Sequence, residues 1–184
     1  MEPRRLRGLE KGVQEMGGKE SVALTERAGK YLTFQLKGEV YGLEILKVQE
    51  IIGLMKVTRV PRAPEFVRGV INLRGKVIPV VDLRLKFGLE ATADTEKTCI
   101  IVVQVAQPAG GKVTMGIIVD EVSEVLNIAG DQIEPAPEFG AAVDTAFILG
   151  MGKVAQKVVM LLDVDKVLSS SQVAAVGAVA QNAQ

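Results

Sequence analysis

Apolar and polar positions alternate most plainly from residue 30 onward. Leu32, Phe34 and Leu36 take every second place, with Thr33, Gln35 and Lys37 between them, and Lys37-Gly38-Glu39 breaks the pattern before Val40 and Tyr41. Period-two alternation interrupted by a glycine-containing turn predicts a β-hairpin. Ile45, Val48, Ile51 and Ile52 then recur at three- and four-residue spacing, which predicts a short helical turn, although a strand satisfies much of the same pattern. Lys56 to Val60 reads as a strand stopped by Pro61 and Pro64.

The stretch Gly69 to Leu83, GVINLRGKVIPVVDL, consists of two apolar runs hinged at Arg74-Gly75. Gly75 supplies the positive φ that a tight hairpin turn needs. Pro79 has no N–H for a ladder, so its strand is expected at an edge or beside a bulge. Arg74 at the tip is either a solvated turn residue or a positioned contact group. Leu83 to Phe87 predicts one helical turn ended by Gly88, and Glu90 to Lys97 a polar loop. Strands are expected at Thr98–Val105 and Lys112–Asp120, joined through Gln107-Pro108-Ala109-Gly110-Gly111. Glu121 to Ile128 repeats the spacing of residues 44–52. Ile133 to Pro137 reads as a loop, residues 146–151 as a strand, and Val158 to Leu162 as another, ending at Asp163. Residues 1–29 are too charged and too poor in large apolar groups to offset their ordering entropy, so they read as a disordered or weakly helical leader. Residues 169–184 read as a tail with a weak helix.

An internal echo runs through the pattern. Gly42-Leu43-Glu44-Ile45 with Val48, Glu50 and Ile51 aligns with Gly116-Ile117-Ile118-Val119 with Val122, Glu124 and Val125, an offset of 74 residues. Ala63-Pro64-Glu65-Phe66 recurs as residues 136–139, and Val80-Val81-Asp82-Leu83 is matched by Leu161-Leu162-Asp163-Val164. These matches predict a duplicated small β unit packed as two barrels or a sandwich. Each copy has a thin core, so the two are expected to share an interface or exchange strands. A groove between them is then a natural binding site.

Composition narrows the possibilities. Hydrophobic residues make up 48% and aromatic residues 4%, which implies an aliphatic, strand-favouring core. Lys plus Arg and Asp plus Glu both number 22, so no global field draws in nucleic acid or an anionic membrane. Histidine is absent, which removes the commonest general base and metal ligand. The one cysteine, Cys99, lies in an apolar run and reads as an inert thiol. Gly150-Met151-Gly152-Lys153 lacks the spacing of a phosphate loop and reads as a turn. Asp120, Glu121, Asp163 and Asp165 read as solvated carboxylates at strand ends, able to cap the helical turns that follow. With no reactive constellation, the candidate chemistry is surface recognition. Two readings of Ile45, Val48, Ile51 and Ile52 stand: all face the core, or some line an exposed groove rimmed by Glu50, Arg68 and Arg74.

The blocks YGLEILKVQEI, VTRVPRAPEFVRGVINLRGKVIPVVDLRLKFG, GIIVDEVSEVL and IEPAPEF together resemble the CheW family of bacterial chemotaxis coupling proteins, over about residues 31–168. The resemblance implies an all-β fold of two intertwined five-stranded SH3-like barrels, one CheW-like domain at 30–168, with no catalysis and no cofactor or metal. It implies a cytoplasmic adaptor between the cytoplasmic tips of methyl-accepting chemoreceptors and the regulatory domain of the CheA histidine kinase, monomeric alone and assembled in arrays at the inner membrane. Nucleic acid and membrane insertion are not expected. Motif positions place the receptor groove at Ile45, Val48, Glu50, Arg68, Gly69 and Arg74, and a kinase or ring contact at Glu138 and Phe139. Glu134 stands where some relatives carry a basic residue. The alternatives are a CheW-like scaffold in another chemosensory-type pathway, such as surface motility, and a small-molecule-binding double barrel.

Overall fold

The computed structural model describes residues 24–138 and 145–169. The eleven described strands are β1 (Gly29–Leu36), β2 (Glu39–Glu44), β3 (Val48–Gly53), β4 (Val67–Leu73), β5 (Lys76–Asp82), β6 (Cys99–Ala106), β7 (Lys112–Val119), β8 (Glu121–Ile128), β9 (Ile133–Glu134), β10 (Ile148–Val154) and β11 (Lys157–Leu162). Two short helices, α1 (Leu83–Lys86) and α2 (Val164–Leu168), follow β5 and β11. The fold is all-β, in two sheets of order β8-β1-β2-β11-β10-β9 and β3-β6-β7-β5-β4.

Both sheets follow one plan, and they exchange strands. β2 pairs in parallel with β11 through Gly42 and Leu161, and β7 pairs in parallel with β5 through Gly116 and Val80. Glycine stands at both places because a Cβ at Gly42 would lie 3.1 Å from Leu161, and one at Gly116 2.8 Å from Ile100. After β2 the chain leaves its sheet, and β3 pairs with β6 in the other. After β7 the chain leaves in the opposite sense, and β8 pairs with β1. Each sheet therefore takes its first hairpin from one half of the chain and its remaining strands from the other half.

This exchange explains the uninterrupted apolar runs. In β6, Ile101, Val103 and Val105 face a core shared by the two sheets, whereas Ile100 and Val102 face the five-stranded sheet's own interior. A strand buried on both faces has no reason to alternate apolar and polar residues. Tyr31, Ile128, Ile133, Val159 and Leu161 form the interior of the other sheet. The shared core is the most extensive of the three, so neither sheet buries its apolar surface without its neighbour. Four aromatic rings run through it in a stack, Phe34, Tyr41, Phe87 and Phe147, with successive centroids 5.8, 5.7 and 5.2 Å apart. The core is therefore less uniformly aliphatic than composition suggested.

Several sequence expectations are corrected. Residues 45–47 form a single 3-10 turn, but Val48–Gly53 is a strand, and the matching stretch Glu121–Ile128 is strand throughout. Cross-strand pairing outweighs the helical spacing in both. Lys56 to Val60 forms no strand: Thr58 alone bridges Val70, with N–H···O distances of 2.9 and 2.8 Å. That bridge ties the segment following β3 to β4 and so joins the two edges of the five-stranded sheet. β5 is an inner strand, and of the two settings expected for Pro79 the bulge is the one found: the register on β4 shifts between Val67 and Gly69, beside the Val70–Pro79 pair. Pro79 is accommodated because the ladder to β7 covers only Val80 to Asp82. The recurring Ala-Pro-Glu-Phe is not the structural repeat. The Asp82 N–H donates to the Phe66 carbonyl and the Asp163 N–H to the Phe147 carbonyl, which pairs Phe66 with Phe147. Phe139, and the leader and tail outside residues 24–169, lie outside the described residues.

Candidate functional site

The β4–β5 hairpin closes through Arg74 and Gly75, with φ of 51° and 85°, the left-handed pair of a two-residue turn. Asn72 steadies it by accepting the Gly75 N–H at 2.9 Å. The turn aims Arg74 across to β3, where its Nη2 donates to Glu50 Oε1. Arg74 stays 70% exposed, so the guanidinium keeps donors free for a partner.

The β3 edge beside this pair is apolar and incompletely covered. Leu46 is 92% exposed and Ile51 45%. Ile51 stands opposite Ile101 and Val48 opposite Val103, which face the shared core; Glu50 stands opposite Val102, which faces the sheet's own interior. Directly opposed residues share a face. Ile45, Val48 and Ile51 thus lie on the side of β3 turned toward the other sheet, and Glu50 with Arg74 on the reverse.

Arg68 and Gly69 are differently placed. They stand at the far end of β4 from Arg74, about 20 Å away at strand rise. The Arg68 guanidinium donates to Asp82 at 3.0 Å and to Asp94 at 2.9 Å. Gly69 is buried with φ 139°, and a Cβ there would lie 1.9 Å from the Thr58 carbonyl oxygen. Its role in the fold is to let Thr58 close on β4. A cleft of about 510 Å³ opens beside Arg68, lined by Arg59, Pro64, Glu65 and Leu85 among others.

Sequence reasoning missed the charge cluster behind Arg68. Arg84 is buried to 2% exposure and donates to Asp82 at 2.9 Å, Asp94 at 3.0 Å and Asp120 at 3.1 Å. Asp82 also accepts the Arg84 N–H as the N-cap of α1. The Asp82 hydrogen bond, outweighing the cost of burial, pushes the Arg84 pKa further above its ordinary value. Burial alone would raise the Asp94 carboxyl, but the bonds from Arg68 and Arg84 hold it below the ordinary range. Asp120 accepts the Lys37 N–H at 2.7 Å, so the cluster reaches the β1–β2 turn of the other sheet. The signal in the sequence was Asp82-Leu83-Arg84, an acid and a base two apart in an apolar run. Asp120 and Asp165 are likewise paired rather than solvated, Asp165 with Lys47 at 2.6 Å.

At the second predicted contact, Glu138 is exposed, and Glu134 on β9 pairs with Lys153 on β10. Among the described residues no group of acids or cysteines is placed to hold a metal, and no helix is long and apolar enough to cross a membrane.

The CheW-like domain family matches residues 30–172 of this chain. The chain belongs to that family. It is 42% identical over 153 residues to the chemotaxis protein CheW of Klebsiella aerogenes, covering 83% of this chain and 89% of the relative. It is 32% identical over 149 residues to the chemotaxis protein CheW of Rhizobium meliloti, covering 81% and 93%. Among solved structures, the CheW-like fold matches the scaffolding protein TtCheW from Thermoanaerobacter tengcongensis with a TM-score of 0.68 at 36% identity, covering 79% of this chain and 95% of that one. The CheW-like assignment extends across both sheets, so the hairpin tip and the charge cluster belong to one matched unit.

Proposed function

We propose that this CheW-like chain is a non-enzymatic adaptor that couples methyl-accepting chemoreceptors to the CheA histidine kinase. The carrying observation is the exposed Arg74, aimed by a rigid hairpin and held by Glu50 at the rim of an apolar edge strand. An apolar stripe with a charged rim suits the grip of a partner helix such as a coiled-coil receptor tip. Ile45, Val48, Glu50 and Arg74 make the direct contacts. Arg68 and Gly69 shape the far end of the hairpin through Asp94 and Thr58. Glu138 and Phe139 face the homologous regulatory domain of the kinase. Each contact is of intermediate strength, and avidity within an array of many copies raises the effective affinity. The protein acts in the cytoplasm, recruited to receptor arrays at the inner membrane.

The test is a mixture of receptor-bearing membranes, CheA and this protein. It should sediment with the membranes and raise the kinase activity that pellets with them. Phe139→Ala should spare receptor binding and weaken kinase association. A wild-type protein that leaves both membrane-bound kinase and its activity unchanged would sink the reading.

A further inference from the structure

Two hairpins of the protein, β4–β5 and β10–β11, are built alike, and only the first carries Arg74. Their registers shift at matching places, between Val67 and Gly69 and between Ile148 and Gly150. The pair Leu73–Lys76 therefore matches Val154–Lys157, and Asn72–Val77 matches Lys153–Val158. Both hairpins close through two left-handed residues, Arg74 and Gly75 at φ 51° and 85°, Ala155 and Gln156 at 48° and 66°. The difference lies two places before the first turn residue. Asn72 Oδ1 accepts the Gly75 N–H at 2.9 Å, whereas the matching Lys153 has only donors to offer and pairs with Glu134.

The second hairpin serves as a control within the molecule. Ala155 and Gln156 both carry a Cβ, which makes the left-handed conformation costlier than it is at Gly75, yet their turn closes with no acceptor at position 153. Closing the β4–β5 turn therefore does not require Asn72. The N–H that Asn72 holds belongs to the peptide joining Arg74 to Gly75, so the bond fixes the backbone from which the guanidinium projects. Glu50 holds the other end of the same side chain. Arg74 is thus restrained at its base and at its head before a partner arrives, and a side chain ordered in advance loses less freedom on binding. Resting on the receptor contact proposed above, we propose that Asn72 is a positioning residue for recognition, acting through Arg74 and making no contact of its own with the partner.

A double-mutant cycle tests this. Asn72→Ala, Arg74→Ala and the double variant are compared with the wild type by sedimentation with membranes carrying a methyl-accepting chemoreceptor, at matched folded protein. Asn72→Ala should weaken binding about fivefold. Its urea midpoint should stay near that of the wild type, and its Gly75 amide should exchange faster. In the Arg74→Ala background the same change should alter binding by less than about twofold, because nothing remains to be positioned. Equal losses in the two backgrounds would overturn the proposal, since Asn72 would then act independently of Arg74. Full binding by Asn72→Ala beside weak binding by Arg74→Ala would overturn it too, leaving the receptor contact intact. Wild type and Arg74→Ala sedimenting alike would overturn that contact itself, and the proposal with it.

Discussion

Arg74 and Arg84 stand ten residues apart on either side of β5. Arg74 is 70% exposed and meets one carboxylate; Arg84 is 2% exposed and meets three. A guanidinium in water retains donors for a partner, whereas a buried one surrounded by acids is a fastening whose removal strands charges in the interior. Arg68 belongs with Arg84 in this respect, although sequence position groups it with Arg74.

The comparison breaks most visibly at Arg84. Arg84→Ala should lower stability by about 3–5 kcal/mol, the usual effect of removing one member of a buried charge cluster. Urea unfolding of the full chain measures it, and a loss below about 1 kcal/mol would mean that water replaces the guanidinium. Next in size, Gly69→Ala should cost about 2 kcal/mol or more through its clash with Thr58. It should speed hydrogen exchange at the Thr58 and Val70 amides, with binding weakened only as far as closure is lost. At Asp94 the effect depends on pH. Its folded carboxyl lies below the ordinary value of 3.8, so its contribution is present above that value and is lost as pH falls further, through the lowered folded value. Asp94→Asn should flatten the acid limb of the stability curve below about pH 4, which pH-dependent melting would show. Smallest of all, burial raises the Cys99 thiol, so its reaction with thiol reagents at neutral pH should be slower than that of a free cysteine and accelerate on unfolding.

The hairpins were legible because each is local, and the duplication because its two halves align at one offset. Alternation around Lys37-Gly38 and Arg74-Gly75 marks features that a short window contains, and the repeated glycines at 42 and 116 mark that offset. The exchange of β3 and β8 was not legible in detail, since the apolar spacing of Ile45 to Ile52 is the same whichever sheet receives it. The repeated Ala-Pro-Glu-Phe misled because sequence identity took precedence over the hydrogen bonds that make Phe147 the partner of Phe66. The candidate site divided for a similar reason. Arg68, Gly69 and Arg74 are close in sequence, but a strand is extended, and six residues carry Arg68 into the charge cluster while Arg74 stays at the tip. The Arg84 cluster draws on residues 68, 82, 94 and 120, which no window joins.

Under the proposed function, Arg74 belongs to recognition rather than to the fold. Arg74→Glu sets an acid against Glu50 on an exposed rim, where removing a surface pair changes stability by less than about 1 kcal/mol. Co-sedimentation of this variant with receptor-bearing membranes, at matched folded protein, tests the claim directly. The predicted result is affinity reduced about tenfold or more with an unfolding midpoint near that of the wild type; sedimentation equal to the wild type would contradict it.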